Sequence, residues 1–190
     1  DQDQICREVM KFALTVNTDS APLSILEVGS GEGLRLSWLA KELGANVHGI
    51  EPSAKAVAAA QARGVDARRG TAESLPFEEA CFDIVLFGFC LYLCDPEDLF
   101  CVASETDRVL KATSWLVIHD FFASAHTRRP YHHTAGVMSN KMDFRKLFDW
   151  HPAYTCYSHR LSAHGLSEFS DDPQEWVATS VLRKQGLEKA

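Results

Sequence analysis

The stretch that decides the fold is Ile25–Leu36, "ILEVGSGEGLRL". A short apolar run breaks into alternate glycines, Gly29, Gly31 and Gly33, and a helical pattern follows at once. Glycines between a strand and a helix permit a tight turn and a close backbone approach, and the helix N-terminus beyond them offers free N–H groups. A glycine triplet alone is weak evidence. Its position, in a strand–turn–helix context, is what gives it weight.

Working outward, short β-rich runs alternate with helical patterns. Ser24 to Val28 reads as a strand and Leu34 to Leu43 as a helix stopped by Gly44. Asn46 to Ile50 reads as a second strand. "SAKAVAAAQARG" then supplies Ser53 as N-cap, an alanine-rich body and Gly64 as the stop. Val65 to Arg69 is a short third strand. "CFDIVLFGF", Cys81–Phe89, has the continuous apolar character of a strand buried on both faces. Pro96 to Leu110 suits a helix capped by Asp95, and Trp115 to His119 suits a fifth strand. Strict alternation implies right-handed crossovers and a parallel, doubly wound α/β sheet with helices on both sides. Two further strands are expected near Tyr154 to Arg160 and Trp176 to Arg183, antiparallel at one edge, with a helix around Lys141 to Phe148.

Composition fits this class. The 190 residues are 46% hydrophobic and 24% charged, the balance of a globular chain with one substantial core. Residues 1–190 are accordingly read as one domain, with 1–22 as an N-terminal helical segment in which Ile5, Val9, Phe12 and Ala13 share a face. The net charge of −7 argues against generic nucleic-acid binding. No apolar run is long enough to cross a bilayer, and the acidic, mixed stretch from Asp1 does not read as a signal peptide. The six cysteines form no C-x-x-C pair or zinc pattern, so reduced thiols and a cytoplasmic location are expected.

The loop's spacing discriminates between ligands. A dinucleotide loop, G-x-G-x-x-G, would need glycine at 34, where the chain has Leu34. The chain reads G-x-G-x-G, preceded by Glu27. Glu51 ends the second strand in "HGIEPS", where a carboxylate can accept bonds from both hydroxyls of a ribose.

With these residues in place, the sequence resembles the class I S-adenosylmethionine-dependent methyltransferases, in the branch with many small-molecule enzymes. The matching segments are "ILEVGSGEG", "VHGIEPS", "GTAESLPFEEACFDIVLFGFCLYLCD" and "RVLKATSWLVIHDF", in the family's order, over roughly Leu23 to Phe121. The resemblance implies a Rossmann-like, mostly parallel seven-stranded sheet and S-adenosylmethionine as cofactor. It places Glu27 and the backbone of Gly29, Ser30, Gly31 and Gly33 at the methionine part, and Glu51 with Pro52 at the ribose. It further places Ala72 and Glu73 at the adenine, and Phe87, Gly88 and Phe89 near the reactive methyl. Asp83, at the start of its strand, reads as structural. "KATSW", Lys111–Trp115, departs from the family's Pro-Gly-Gly turn at the sheet end opposite the site.

Methyl transfer from a sulfonium needs mainly positioning, with a base only where the nucleophile carries a proton. Seven of the eight histidines lie at or beyond His119. "HTRRPYHH" gathers His126, Arg128, Arg129, Tyr131, His132 and His133 in one segment, with Lys141, Arg145 and Lys146 following. Residues 120–150 are therefore read as the acceptor-binding insertion, with His132 or His133 as general base. Arg128, Arg129, Tyr131 and Lys141 are its candidate contacts, and the cations suit a phosphate or carboxylate. Cys90 and Tyr92 are alternative contacts. His119, beside Asp120, is the better of the metal or base candidates, though no metal is expected. The expected activity is methyl transfer to O or N of a small or medium acceptor, with an anionic one suited to the cations. A non-catalytic adenosyl-binding module or activating subunit is the alternative, and a nicotinamide oxidoreductase is disfavoured by Leu34.

Overall fold

A computed structural model describes residues 4–13, 15, 21–131, 133–165 and 170–186 of the chain. His132 lies outside the described residues. Helix α1 (Gln4–Ala13) is followed by β1 (Ser24–Val28), α2 (Leu34–Leu43), β2 (Asn46–Glu51), α3 (Ala54–Ala62), β3 (Asp66–Arg69) and β4 (Phe82–Gly88). Then come α4 (Leu99–Val109), β5 (Leu110–Phe121), β6 (Thr127–Pro130), β7 (Met138–Lys141), α5 (Lys146–Asp149), β8 (Tyr154–Ala163) and β9 (Trp176–Lys184).

Seven strands form one sheet in the order β3-β2-β1-β4-β5-β9-β8. The first five are mutually parallel, while β9 runs antiparallel to both β5 and β8. The expected α/β architecture, with its antiparallel edge, is present. The order reverses at β1, so the loops after β1 and β4 diverge and leave a crevice at their carboxyl ends.

The sheet is buried on both faces. One core joins α1, α2 and α3 to the sheet through Ile5, Leu36, Leu39, Val57, Ala60, Ile84 and Trp115. The other packs α4 and α5 through Leu99, Val102, Val109, Phe148, Leu116 and Leu182. In α1, the face predicted from Ile5, Val9, Phe12 and Ala13 is the buried one. Ser53 caps α3 as expected, its hydroxyl accepting from the Ala56 amide at 3.4 Å.

Three local expectations are corrected. The fourth helix begins at Leu99 rather than Pro96, because the Asp98 and Leu99 amides are taken by the Asp95 and Pro96 carbonyls in a preceding turn. Asp95 is therefore not its cap. Residues 120–150 also carry strands that were not expected: β5 runs past His119 to Phe121, and β6 and β7 pair as a hairpin from Thr127↔Lys141 to Pro130↔Met138. Lys141 ends β7, so the helix expected from Lys141 shrinks to Lys146–Asp149. Buried Asn140 explains the strand: its side chain bonds His126 at 3.1 Å and donates to the Cys94 carbonyl at 3.2 Å. This pins β7 against the loop after β4.

Asp83 is structural, as expected: it accepts from the Ser24 amide and from Lys111 Nζ, both at 2.9 Å. In the "KATSW" segment, pairing with β4 slips between Phe82 and Ile84, and Thr113 takes a left-handed φ of 57°.

Candidate functional site: a crevice of three joined cavities

The crevice starts at the glycine loop. The Gly29 and Ser30 amides both donate to the Ile50 carbonyl, at 2.8 and 3.1 Å, binding the loop to the end of β2. Gly29 has φ 74°, and a Cβ there would lie 2.7 Å from the Cβ of Cys90, so no larger residue fits between the loops after β1 and β4. Glu51 fastens the loop from the other side. Its carboxylate accepts from the Gly31 amide at 3.0 Å and the Ser53 amide at 2.9 Å.

Three cavities line up along this crevice. The first, about 590 Å³, is lined by Cys6 of α1, Glu27, Gly29, Ser30, Gly31, Arg35, Trp38 and Gly88, among others. The second, about 430 Å³, is lined by Gly29, Glu51, Pro52, Thr71, Ala72, Glu73, Phe89, Cys90 and Cys94, among others. The third, about 640 Å³, includes Phe89, Tyr92, Phe121, Arg129, Tyr131, His133, Lys141 and His164. Gly29 belongs to the first two and Phe89 to the last two. All three volumes fall in the range of small-molecule sites.

Inside the first cavity Glu27 is almost wholly buried, and Arg35 Nη1 donates to its Oε1. The second oxygen, Oε2, is buried without a hydrogen-bond partner. A buried carboxylate oxygen with no donor costs free energy, so this one calls for a cation or N–H donor from a ligand. Arg35 also packs on Gly88: a Cβ at 88 would sit 2.7 Å from its Nη1.

Between the second and third cavities stands Phe89, itself at a left-handed φ of 55°. Non-glycine residues held there are strained, and such strain concentrates at functional sites. Asp120 holds this turn. Its Oδ2 accepts from the Cys90 and Leu91 amides at 3.0 and 2.8 Å, and its Oδ1 from the Phe121 amide at 2.8 Å. Burial pushes the Asp120 carboxyl up to about 7, against the pull of these amides. Cys90 is raised well above a normal thiol by its bond to Cys94 and by burial, so it is no thiolate nucleophile at neutral pH.

The candidate residues divide by place. Glu27, Gly29, Ser30, Gly31 and Gly88 line the first cavity, and Glu51, Pro52, Ala72, Glu73 and Phe89 the second. Gly33 instead packs on Ala60 of α3, and Phe87 is fully buried in the core. Tyr92, Arg129, Tyr131, His133 and Lys141 line the third cavity, whereas Arg128 is exposed outside its lining. His119 is buried behind Phe89, its Nδ1 2.7 Å from Thr179 Oγ1 and its ring 4.8 Å from the Phe89 centroid. Among the described residues no group of three or more His, Cys, Asp or Glu could hold a metal ion. Among the same residues no helix is long and apolar enough to cross a membrane.

Sequence reasoning missed Arg35, Trp38 and Cys6 around Glu27, and Phe121, His164, Gln174 and Glu175 in the third cavity. Arg35 carried a usable signal, since it sits eight residues after Glu27 at the opening of α2.

The sequence and the fold have counterparts in known proteins. A family profile described as a methyltransferase domain matches residues 26–118. An uncharacterized protein of Haemophilus influenzae is 33% identical over 104 residues, which is 50% of this chain and 41% of that protein. The chain thus spans less than half the length of this relative. Among solved structures, a SAM-dependent methyltransferase from Methanosarcina mazei superposes with a TM-score of 0.71 at 16% identity, covering 86% of this chain and 93% of that one. The 1,6-didemethyltoxoflavin-N1-methyltransferase of Burkholderia thailandensis, solved with 1,6-didemethyltoxoflavin and S-adenosylhomocysteine, gives 0.70 at 16% identity, covering 97% and 80%. Profile, strand order and glycine loop agree: over residues 26–118 the chain is similar to methyltransferase domains, and its fold is that of the SAM-dependent methyltransferase structures it superposes on.

Proposed function

We propose that the chain binds S-adenosylmethionine along the first two cavities and transfers its methyl group to O or N of a small acceptor in the third. The observation that carries this reading is the pair of carboxylates joined through Gly29: Glu27 with an unpartnered buried oxygen, and Glu51 at the end of β2. A ligand with an ammonium at one end and a ribose at the other answers both.

Glu27 Oε2 would accept from the ammonium, and Arg35 would meet the neighbouring carboxylate. Glu51 would accept from the ribose hydroxyls, with Ala72 and Glu73 beside the adenine. The Arg108 guanidinium, from α4, supports that end by donating to the Leu75 and Phe77 carbonyls at 2.9 and 2.7 Å. The cofactor supplies a methyl group on a positively charged sulfur. Phe89 would order the passage between donor and acceptor and exclude water from it. His133, on the rim of the acceptor cavity, would take the proton from the nucleophile, while His119, bonded to Thr179, would hold Phe89 in place.

Calorimetry with S-adenosylmethionine, S-adenosylhomocysteine and NAD tests the reading. Both adenosyl ligands should bind and NAD should not. Binding of NAD alone overturns it, and binding without turnover across acceptors would identify a module rather than an enzyme.

A further inference from the structure

The third cavity says what kind of acceptor fits. Its inner wall is a set of rings in contact, some edge to face and some tilted. Phe89, Phe121 and His164 have centroids 5.0 to 5.2 Å apart, and Tyr92 lies 5.0 Å from Phe121. Tyr131 continues the wall at 5.9 Å from Tyr92, and the two hydroxyls are 3.3 Å apart. Such a wall offers alternating ring faces and edges to a flat guest and little to a flexible polar one.

Charge enters at one side. Lys141 Nζ stands 4.3 Å from the Phe121 centroid and donates to the Gln174 carbonyl. An ammonium has three donors, so this one keeps capacity for an anion. Burial lowers the Lys141 pKa, the mark of an amine removed from water that an anionic partner would restore. Arg129 adds a second cation on the rim, and Glu175 is the one carboxylate among the described lining residues. Counting Lys, Arg and Glu, the described lining residues therefore carry one net positive charge, which suits a monoanion.

We propose that the acceptor is a planar aromatic acid carrying a hydroxyl or amino nucleophile, its ring seated among Phe89, Tyr92 and Phe121 and its acidic group at Lys141. The inference rests on the methyl-transfer reading and adds the substrate class. In the step itself, a lone pair on the acceptor's O or N forms the new bond to the methyl carbon. The C–S bond breaks with its electrons going to sulfur, and the acceptor's proton passes to His133 or to solvent. Phe89, shared by both cavities, places the acceptor ring next to the donor, so a ring-borne nucleophile needs no flexible arm to reach it.

The test measures binding to the S-adenosylhomocysteine-loaded protein by calorimetry, using hydroxybenzoates and aminobenzoates. Each acid is compared with its neutral methyl ester and with the corresponding hydroxy- or aminocyclohexanecarboxylate. At least one aromatic acid should bind tenfold or more tighter than both of its controls. Lys141→Met should abolish the preference for acid over ester, and Lys141→Arg should keep it, with S-adenosylhomocysteine affinity unchanged in both. Equal binding of acid, ester and saturated acid overturns the proposal, as does failure of every aromatic acid or an undiminished preference in Lys141→Met. Failure of S-adenosylhomocysteine itself to bind would instead remove the methyl-transfer reading, and the substrate class with it.

Discussion

The guanidinium of Arg35, in the first turn of α2, rests on the carboxylate of Glu27, at the penultimate position of β1. The two charges face one cavity, one buried and the other partly so. They form a ready counterpart to an amino acid that carries both an ammonium and a carboxylate. Arg35→Met should weaken S-adenosylhomocysteine binding about tenfold or more, since a hydrogen bond between charged groups contributes about 1.5–3 kcal/mol. 5′-Methylthioadenosine, which lacks the amino-acid end, should bind equally to both proteins. Calorimetry with the two ligands checks this; equal losses for both would mean that Arg35 serves only the fold.

Asp120 gives a pH dependence with a definite sign. Its carboxyl titrates at about 7 when folded and near its ordinary 3.8 when unfolded. Between those values the folded chain holds the extra proton, so this group's contribution to stability is complete below 3.8 and is lost as pH rises towards 7. Asp120→Asn cannot titrate, so the difference in melting temperature between variant and parent should shift in the variant's favour from pH 4 to pH 7.5, then stay level. A difference independent of pH would show that the carboxyl does not titrate in this window.

The loop after β3, beside the second cavity, hangs on Arg108, which also pairs with Glu105 at 2.7 Å, while Glu105 accepts from the Leu75 amide at 2.8 Å. Arg108→Ala should lower S-adenosylhomocysteine affinity several-fold. Arg108→Lys should rescue it poorly, because a single ammonium cannot reach both carbonyls and the carboxylate in the planar geometry of a guanidinium. Lys matching the parent would refute the bracing role.

Thr113 is a β-branched residue at φ 57° in the turn before the central part of β5. The left-handed conformation costs such a residue about 1–2 kcal/mol, and glycine there costs about 0.4–1 kcal/mol of unfolded-state entropy. Thr113→Gly should therefore stabilise the chain by about 0.5–1 kcal/mol in urea titration, with S-adenosylhomocysteine binding unaltered. A destabilised variant would mean that the Thr113 side chain contributes more than its strain.

What could be read in advance follows from the range of the forces. The βαβ half was legible because strand and helix periods, Ser53 and the glycines act within a few residues of one another. The hairpin Thr127–Lys141 was not, because what holds β7 is the buried Asn140 side chain reaching Cys94, 46 residues away. At the site, Glu27, Glu51 and the loop stood out by spacing alone. His164, Gln174 and Glu175 did not, since only the antiparallel return of β8 into β9 brings them beside Phe121. The charge of Arg35 was visible, but its direction is set by the space over Gly88.

The strand order also dictates when the wall of the third cavity can exist during synthesis. β8 leaves the ribosome before β9, yet β9 is its only neighbour in the sheet and lies between it and β5. β8 must wait, unpaired, until the later strand has entered. His164, Gln174 and Glu175, strung between the two, are fixed only at that moment. The first two cavities, built largely from β1 to β4 and the loops after them, can assemble while the chain is still growing, and the third cannot. A nascent chain stalled before Trp176 should already select adenosyl ligands but not yet discriminate among acceptors.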